Sequence, residues 1–549
     1  MHRCLWHGDS WRVLVVTLFF GTMLIFLTAC GGGTAPSSTV NGTPTLANKQ
    51  VLTFPNVGTT DIATLDPALV PDQNSTVAAN MIYTGLVKSD KNLNVIPDQA
   101  TWRVSPDNKV YTFAISPDVA FSDGTLVTAQ SYIYSWTRAL WPSLNAPNAF
   151  LLEKNIVGAT DVASGKTKVL SGLKALDSHT LQVTLTQPTA YFLQALTNVL
   201  FFPVNQKVVE QYGQKNWAQH VADNPVGTGP FIVKEWDHNV KMIFVPNPHY
   251  YGNKPRLTEV DMIFVNDPAT AFKAYRAGQY DFVWDLLATD QVTAKGMPGF
   301  IRTPLLQTDL LFFDNTTEPF NNSAVRQAFA YATDKTTLVH NVFKDAVAPA
   351  PTIIPPGMPG YQPNYPGLAF DSKKAKSLLE SVYPDVTKVP AITFSYPNSQ
   401  VTSTEAAALQ QMWQTALGIQ VALRPVELTA YIDETQNHDV QFGFTQWTAD
   451  FPDPYDWLAL NLLSTSSYNN GRWSNADFDQ TITQAETLTG DARISLYNKA
   501  EQIAVSDVGW LPLDHETLAA VIPSWVHNVT LNGNGLYFGD WSDVYLLQH

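Results

Sequence analysis

The stretch EAAALQQMWQTALGIQVAL, residues 405–423, places a helix and a strand directly after one another. Residues 405–417 carry apolar side chains at helical spacing and predict an amphipathic helix. Gly418 is expected to end it, since glycine readily adopts the left-handed conformation that follows a helix. Residues 419–423 then predict a strand, and residues 440–444 another. Strands that alternate with helices indicate an α/β fold.

The same alternation is predicted along the chain from Val51 onward, without an evident internal repeat. Thr128 and Asp371 are expected helix N-caps, because their side-chain oxygens can accept the unpaired backbone N–H groups of a first turn. The remaining predicted elements are a strand at 109–115, a helix from Thr128 to Leu140, a hairpin of 230–236 and 241–245, and helices at 371–382, 475–487 and 491–504.

Composition limits the class of protein. The chain has 549 residues, of which 45% are hydrophobic and 15% charged, so it is globular and long enough for two or three domains. A formal net charge of −15 argues against nucleic acid as a partner, because phosphate binding requires clustered lysine and arginine.

The N-terminus carries a targeting signal. An apolar run, 13–27, follows Arg3 and Arg12 and has the length expected of a signal peptide. It leads into Leu-Thr-Ala-Cys at 27–30, which resembles the bacterial lipobox. We therefore predict a signal peptide at 1–29, lipidation of Cys30 and a flexible tether over 30–50. The alternative is an uncleaved signal anchor with a chance cysteine.

Catalytic, metal and cofactor motifs are not evident. The two cysteines are Cys4 and Cys30, so a mature chain beginning at Cys30 would have no disulfide and no thiolate metal site. The histidines are scattered without an HExxH pattern, and no GxSxG nucleophile motif occurs. We predict no metal, no cofactor and no enzymatic activity.

An ordered series of short motifs resembles a known family. The motifs are YTGLV (83–87), WRVSPD (102–107), FSDGT (121–125), YSWTRA (134–139), VGTGPF (226–231), NPHYY (247–251), VRQAFAYA (325–332) and WTADFPDP (447–454). In this order they resemble the family 5 extracellular solute-binding proteins, the dipeptide- and oligopeptide-binding lipoproteins of ABC transporters.

The resemblance implies a bilobal periplasmic-binding-protein-like α/β fold, class II and cluster C in type, with an inserted domain. Domain I of lobe one is expected at 51–87, 200–301 and 512–549, and the inserted domain II at 88–199. Lobe two, domain III, is expected at 302–511. A two-stranded hinge is expected near 302–311 and 511–519.

The resemblance also implies a ligand site. Asp450 is expected to pair with the α-ammonium of a peptide, because a buried ammonium without a counter-charge is very unfavourable. Backbone groups around Gln446 and Thr448 are expected to pair with ligand amides like an added strand. The other candidate lining residues are Trp447, Asn148 and Asn74. Asp453 better suits a loop or helix-cap role.

The function implied is capture of short peptides by a monomer tethered to the outer face of the cell membrane. Its partners would be the peptide and the permease subunits of an ABC importer. The same fold can instead bind an oligosaccharide, a nickel complex or another solute. A secreted hydrolase is the alternative from a different class, and it would require carboxylates or a triad converging in one cleft.

Overall fold

The computed structural model describes residues 45–224, 226–537 and 541–549, and residues 46–549 form one unit. The predicted signal peptide, Cys30 and most of the tether therefore lie outside the described residues. The strands are β1 (Val51–Val57), β2 (Val87–Ser89), β3 (Val95–Pro97), β4 (Ala100–Val104), β5 (Val110–Ile115), β6 (Leu173–Ala175), β7 (Thr180–Thr184), β8 (Phe231–Asp237), β9 (Lys241–Pro246), β10 (Glu259–Val265), β11 (Val283–Trp284), β12 (Phe300–Phe313), β13 (Ala348–Pro349), β14 (Ile392–Pro397), β15 (Val421–Val426), β16 (Phe442–Thr448), β17 (Leu511–Val521), β18 (Val526–His527), β19 (Thr530–Asn532), β20 (Gly535–Tyr537) and β21 (Tyr545–Leu546).

Helices alternate with these strands. They are α1 (Gln73–Ile82), α2 (Ala129–Ala139), α3 (Phe150–Glu153), α4 (Ala159–Ala163), α5 (Phe192–Ala195), α6 (Gln206–Tyr212), α7 (Pro268–Arg276), α8 (Ala288–Ala294), α9 (Ser323–Ala332), α10 (Lys335–Phe343), α11 (Ser372–Val382), α12 (Gln400–Leu417), α13 (Leu428–Gln436), α14 (Leu460–Leu462), α15 (Ala476–Ala485) and α16 (Gly490–Ser506). Among the described residues, none of these helices is long and apolar enough to cross a membrane.

The local signals in the sequence place the helix ends correctly. Asp371 caps α11 by accepting the backbone N–H of Lys374, and Thr128 forms a capping box with Ser131 at the start of α2. Gly418 ends α12 with φ +72°, in the left-handed region. These predictions are confirmed.

Three larger sheets carry the architecture. One has the order β1-β10-β9-β8, and a second, β4-β5-β7-β6, lies within the chain segment between β3 and α6. The third runs β11-β17-β12-β16-β14-β15, with β13 added beside β17. Helices flank mixed parallel and antiparallel pairs, as expected of an α/β protein.

The hydrophobic residues form separate clusters around these sheets. One cluster draws on 52–83, 199–294 and 518–546. A second draws almost wholly on 68–201, and two more draw on 306–513. The first cluster is the core of one lobe, and the second is the core of an additional body on that lobe. The two clusters of residues 306–513 are the cores of the other lobe.

Strands β12 and β17 connect these cores. Leu518 to Val521 of β17 pack in the first cluster, whereas Leu511 and Leu513 pack with helices α9 to α12. The pairing of β12 with β17 becomes irregular between Pro304 and Thr308. Two strands that pass from one core to the other, with irregular pairing at the crossing, form the two-stranded hinge expected of this fold.

Candidate functional site

A cleft of about 480 Å³ lies between α1 and the end of β16. The lobe-two contribution to its lining is Thr448, Ala449 and Asp450. The opposite wall consists of residues from α1, from the turn and strand that follow it, and from loops near Asn148 and Asn532. The volume lies within the range of roughly 300–1,000 Å³ that is typical of small-molecule sites.

The end of β16 presents an open backbone edge to this cleft. Beyond Gly443, no residue of β16 pairs with β14, and the pairing continues with β12 alone. Ala449 N–H donates to the Leu306 carbonyl at 2.9 Å, and beyond the other end of β16 Asp314 N–H donates to the Gln441 carbonyl at 2.8 Å, so residues 441 and 449 both bond toward β12. Since such positions alternate along an antiparallel strand, the backbone groups of Gln446 and Thr448 point away from β12. No described residue pairs with these groups on that side, so an extended chain can do so.

Asp450 follows this edge immediately. Its carboxyl is half-buried and lines the cleft, and it has no hydrogen bond or ion pair among the residues that the structure describes. Burial raises the pKa of Asp450 to about 6. A carboxyl in such a place is stabilised by any cationic group that enters the cleft.

A second carboxyl, that of Asp456, shapes the turn around Asp450. Asp456 Oδ2 accepts the Asp450 backbone N–H at 3.0 Å and Trp447 Nε1–H at 3.1 Å. The side chain is fully buried in the π-helical turn Tyr455–Ala459. Burial, and then the neighbouring Asp450, raise the pKa of Asp456 well above its ordinary range. Because the two carboxyls disfavour each other's ionisation, a cation beside Asp450 would relieve both.

Asp453 holds the same loop from its other side. Its two oxygens accept Nη1 and Nη2 of Arg493, both at 2.8 Å, and Glu486 accepts a further bond from the same guanidinium. Asp453 also accepts the Tyr455 backbone N–H. Asp453 and Arg493 are both buried, so this bidentate pair fixes the loop as predicted for Asp453 and leaves Asp450 to the cleft.

The structure brings together only some of the predicted site residues. Thr448, Asp450 and Asn148 line the same cleft. Trp447 packs beside the lobe-two core and is held by Asp456, and the Gln446 side chain is exposed. Asn74 lies outside the lining; its backbone carbonyl accepts Asn56 Nδ2, and its side chain lies near Gly58.

The residues of α1 that line the cleft do not include the predicted Asn74 but begin at its neighbour, Gln73. Gln73, Thr76, Val77 and Asn80 face the cleft, and they follow the i, i+3, i+4, i+7 spacing of one helix face. Asn74 lies about 100° around the helix from Gln73. The Asp72 N-cap fixes where the helix begins but not which face is turned to the cleft, so no signal in the sequence identifies this face directly.

A charged pair in the lining was not anticipated. Lys88 Nζ lies 3.6 Å from Asp98 Oδ1, and Tyr251 Oη donates to the same oxygen at 2.7 Å. Lys88 is one-third exposed and supplies the positive charge among the described lining residues. It follows the YTGLV motif directly, and its position in the sequence gave no sign of a charge partner.

The residue after Asp450 crosses to the other wall. Phe451 is 2% exposed and packs in the cluster formed by residues 68–201. Its ring stacks on Tyr191 at 4.9 Å, and Tyr455 stacks on Tyr191 at 4.4 Å. Asp450 is therefore next to the aromatic contact that joins lobe two to the inserted body.

Comparisons with known proteins agree with this geometry. Residues 94–469 match the family model described as bacterial extracellular solute-binding proteins, family 5 middle. Oligopeptide-binding protein OppA of Bacillus subtilis (strain 168) is 29% identical over 543 residues, covering 95% of this chain and 96% of that protein. The probable deoxycholate-binding periplasmic protein YgiS of Escherichia coli (strain K12) is 30% identical over 504 residues, covering 89% and 92%.

A solved structure shows the same arrangement over nearly the whole chain. The unliganded open form of the periplasmic murein tripeptide binding protein MppA superposes with a TM-score of 0.79 at 29% identity. The match covers 92% of this chain and 99% of that one.

Proposed function

Because the chain belongs to family 5 of the bacterial extracellular solute-binding proteins, we propose that it captures short peptides between two closing lobes and delivers them to the permease of an ABC importer. Family membership places it among binding proteins and not among enzymes, which removes the hydrolase alternative. The peptide-binding names of its relatives support the ligand class.

The observation that carries the peptide assignment is the carboxyl of Asp450. It faces the cleft without a partner among the described residues, and burial already disfavours its charge. The α-ammonium of a peptide would supply the counter-charge and satisfy the oxygens through charge-assisted hydrogen bonds. Such an anchor fixes the first residue of a peptide without reading its side chain.

The backbone edge of β16 supports the same ligand. An extended peptide that starts at Asp450 would run along the groups at Thr448 and Gln446 that point away from β12. Main-chain pairing of this kind gives affinity that depends little on sequence. The uncharged polar residues of the opposite wall, including Asn80 and Asn148, can satisfy the remaining amide groups.

The proposal includes the organisation predicted from the sequence. Lobe one comprises 51–87, 200–301 and 512–549 with the inserted 88–199, and lobe two comprises 302–511. The protein acts as a monomer tethered through lipidated Cys30 on the outer face of the membrane. Strands β12 and β17 bend when the lobes close, and a ligand that touches both lobes favours the closed state.

A steroid-like acid is the second candidate ligand. The observation in its favour is the 30% identity to a relative whose name gives deoxycholate as its probable ligand. Such a ligand would present a carboxylate and no ammonium, so it would need Lys88 and would gain nothing from Asp450. The two ligand classes thus depend on different residues.

A thermal-shift screen distinguishes them. A ligand that binds only the folded state raises the melting temperature according to its concentration relative to Kd. We expect stabilisation by di- to pentapeptides with free amines, less by their N-acetylated forms, and none by deoxycholate, oligosaccharides or nickel complexes at equal concentration. Stabilisation by deoxycholate without any peptide response would transfer the assignment to the second candidate. Stabilisation by an oligosaccharide or nickel complex alone would reject both.

A further inference from the structure

Three carboxylates converge where β12 and β17 pair. Asp309 lies opposite Asp514, and Glu516 is two residues further along β17, so its side chain lies on the same face of the sheet. One oxygen from each of the three lies within 4.8 Å of the others. Asp309 is 6% exposed and Asp514 is fully buried, while Glu516 is half-buried at the irregular point of the strand pair.

A fourth carboxyl, on another element, is close enough to this group to interact with it electrostatically. Glu405 of α12 is 2% exposed, and its Oε1 has no hydrogen-bond partner among the described residues. It repels the charges of Asp309 and Asp514, and it is itself repelled by Glu516. Both oxygens of Asp514 and Oδ1 of Asp309 also lack partners among the described residues. Buried carboxyl oxygens are normally hydrogen-bonded, so these point to a missing ligand.

The surrounding cations do not balance the group. Lys335 is close enough to Asp514 for electrostatic attraction, but its Nζ donates to the Ala350 carbonyl at 2.8 Å. Burial lowers the pKa of Lys335 to about 7, so near neutral pH this lysine carries only part of a charge. His515 bonds to Thr308 and Thr352 and not to the carboxylates.

Lobe one adds a further acidic group. Asp285, which follows β11, raises the pKa of Glu516 after burial has raised it already. The acidic groups thus extend along the hinge from α12 to lobe one.

We propose that Asp309, Asp514 and Glu516 bind one divalent cation of the calcium class at the hinge, with Glu405 facing the ion. The donors are all carboxylate oxygens, which suits a hard cation and not zinc or copper. Oxygens bound to one Ca²⁺ at roughly 2.3–2.6 Å lie at most about 5.2 Å apart, so one ion can reach all three. Mg²⁺ gives up its water reluctantly, which disfavours it in a buried site.

The sequence alone predicts no metal site because these ligands form no spaced motif. Strand pairing brings Asp309 beside Asp514, and helix packing adds Glu405. An ion held between β12 and β17 would replace protons that the buried carboxyls otherwise need. It would also stiffen the strands that connect the lobes.

The test uses the full chain, purified in detergent and treated with a chelator that is then removed. Equilibrium dialysis and melting curves are measured with Ca²⁺, Mg²⁺ or Zn²⁺ alone. We expect one Ca²⁺ per chain and a rise in Tm of at least about 3 °C. Equal or tighter binding of Mg²⁺ or Zn²⁺, or no Ca²⁺ binding at millimolar concentration, overturns the proposal.

Variants locate the ion. Asp514→Asn should weaken Ca²⁺ binding at least tenfold, and Glu516→Gln, at a half-buried position, serves if the first variant does not fold. Glu501→Gln is the matched control, because Glu501 is also fully buried in lobe two but accepts bonds from Ile354 and Gln362. Ca²⁺ binding that is unchanged in the folded hinge variant, or equally weakened by Glu501→Gln, places the ion elsewhere and refutes the assignment.

Discussion

Replacing Asp450 by asparagine keeps the shape of the side chain and removes its charge. Burial raises the pKa of Asp450 to about 6, from an ordinary value of about 3.9. Each pKa unit corresponds to about 1.4 kcal/mol, so the ionised carboxylate is about 3 kcal/mol less favourable in the empty cleft than in water. A ligand ammonium that offsets this cost contributes a comparable free energy. Asp450→Asn should therefore weaken binding of a free-amine peptide about 100-fold.

The assay is isothermal titration of one peptide in two forms, with a free or an acetylated N-terminus. The wild-type protein should prefer the free amine, and Asp450→Asn should bind the two forms within about threefold of each other, because the acetylated form makes no ion pair with Asp450. Asp439→Asn is a suitable control, since Asp439 is an exposed acid just before β16. If Asp450→Asn weakens both forms equally, the anchor role is refuted, and the residue only maintains the shape of the loop.

Three other predictions address ionisation, closure and location. Peptide affinity should be greatest between about pH 7 and pH 7.5. It should fall about tenfold between pH 7 and pH 5, because protonation of Asp450 near pH 6 removes the counter-charge, and it should fall again above about pH 8 as the peptide α-ammonium loses its proton. Titration calorimetry should show no fall at low pH for Asp450→Asn, and a similar fall in both proteins would point to another group. Phe451→Ala should weaken peptide binding about 10- to 100-fold, because it removes roughly 1.5–3 kcal/mol of ring burial from the closed state. Unchanged affinity, together with an unchanged X-ray scattering profile of the liganded protein, would contradict this. Cys30→Ala should release the protein into the soluble fraction, whereas an unprocessed chain that stays in the membrane would indicate a signal anchor.

Local sequence signals predict the elements of this fold well because they act over a few residues. Gly418 ends α12, and β8 and β9 form the hairpin that was expected from residues 230–236 and 241–245. Asn239 adopts φ +64° in that turn, a conformation that asparagine tolerates better than most residues. What these signals omit is the order of strands within a sheet. Nothing local in β12 or β17 shows that they pair across most of their length, and that pairing came only from the family resemblance.

The candidate site was also predicted only in part from the sequence. Thr448 and Asp450 belong to a contiguous motif, so a single correct alignment places both. Asn148 and Asn74 depend on aligning segments without a motif, and a displacement of one residue on a helix turns a side chain by about 100°. The partners that fix Asp453 and Asp450, namely Arg493 and Asp456, are set by tertiary packing. Sequence spacing carries no direct record of such contacts.

The proposed ligand capture and lobe closure depend on adjacent residues. Asp450 faces the cleft, and Phe451 is buried against Tyr191 of the inserted body, so the proposed anchor cannot move far without disturbing the aromatic contact. A ligand shifts the open–closed equilibrium only by its different affinity for the two states. In the proposed mechanism, the contact of Phe451 with Tyr191 favours the state in which the lobes touch, whereas the buried Asp450 carboxyl without a counter-charge opposes it. We expect an ammonium in the cleft to supply that counter-charge and to leave the aromatic contact in place, so that a peptide amine shifts the equilibrium toward closure.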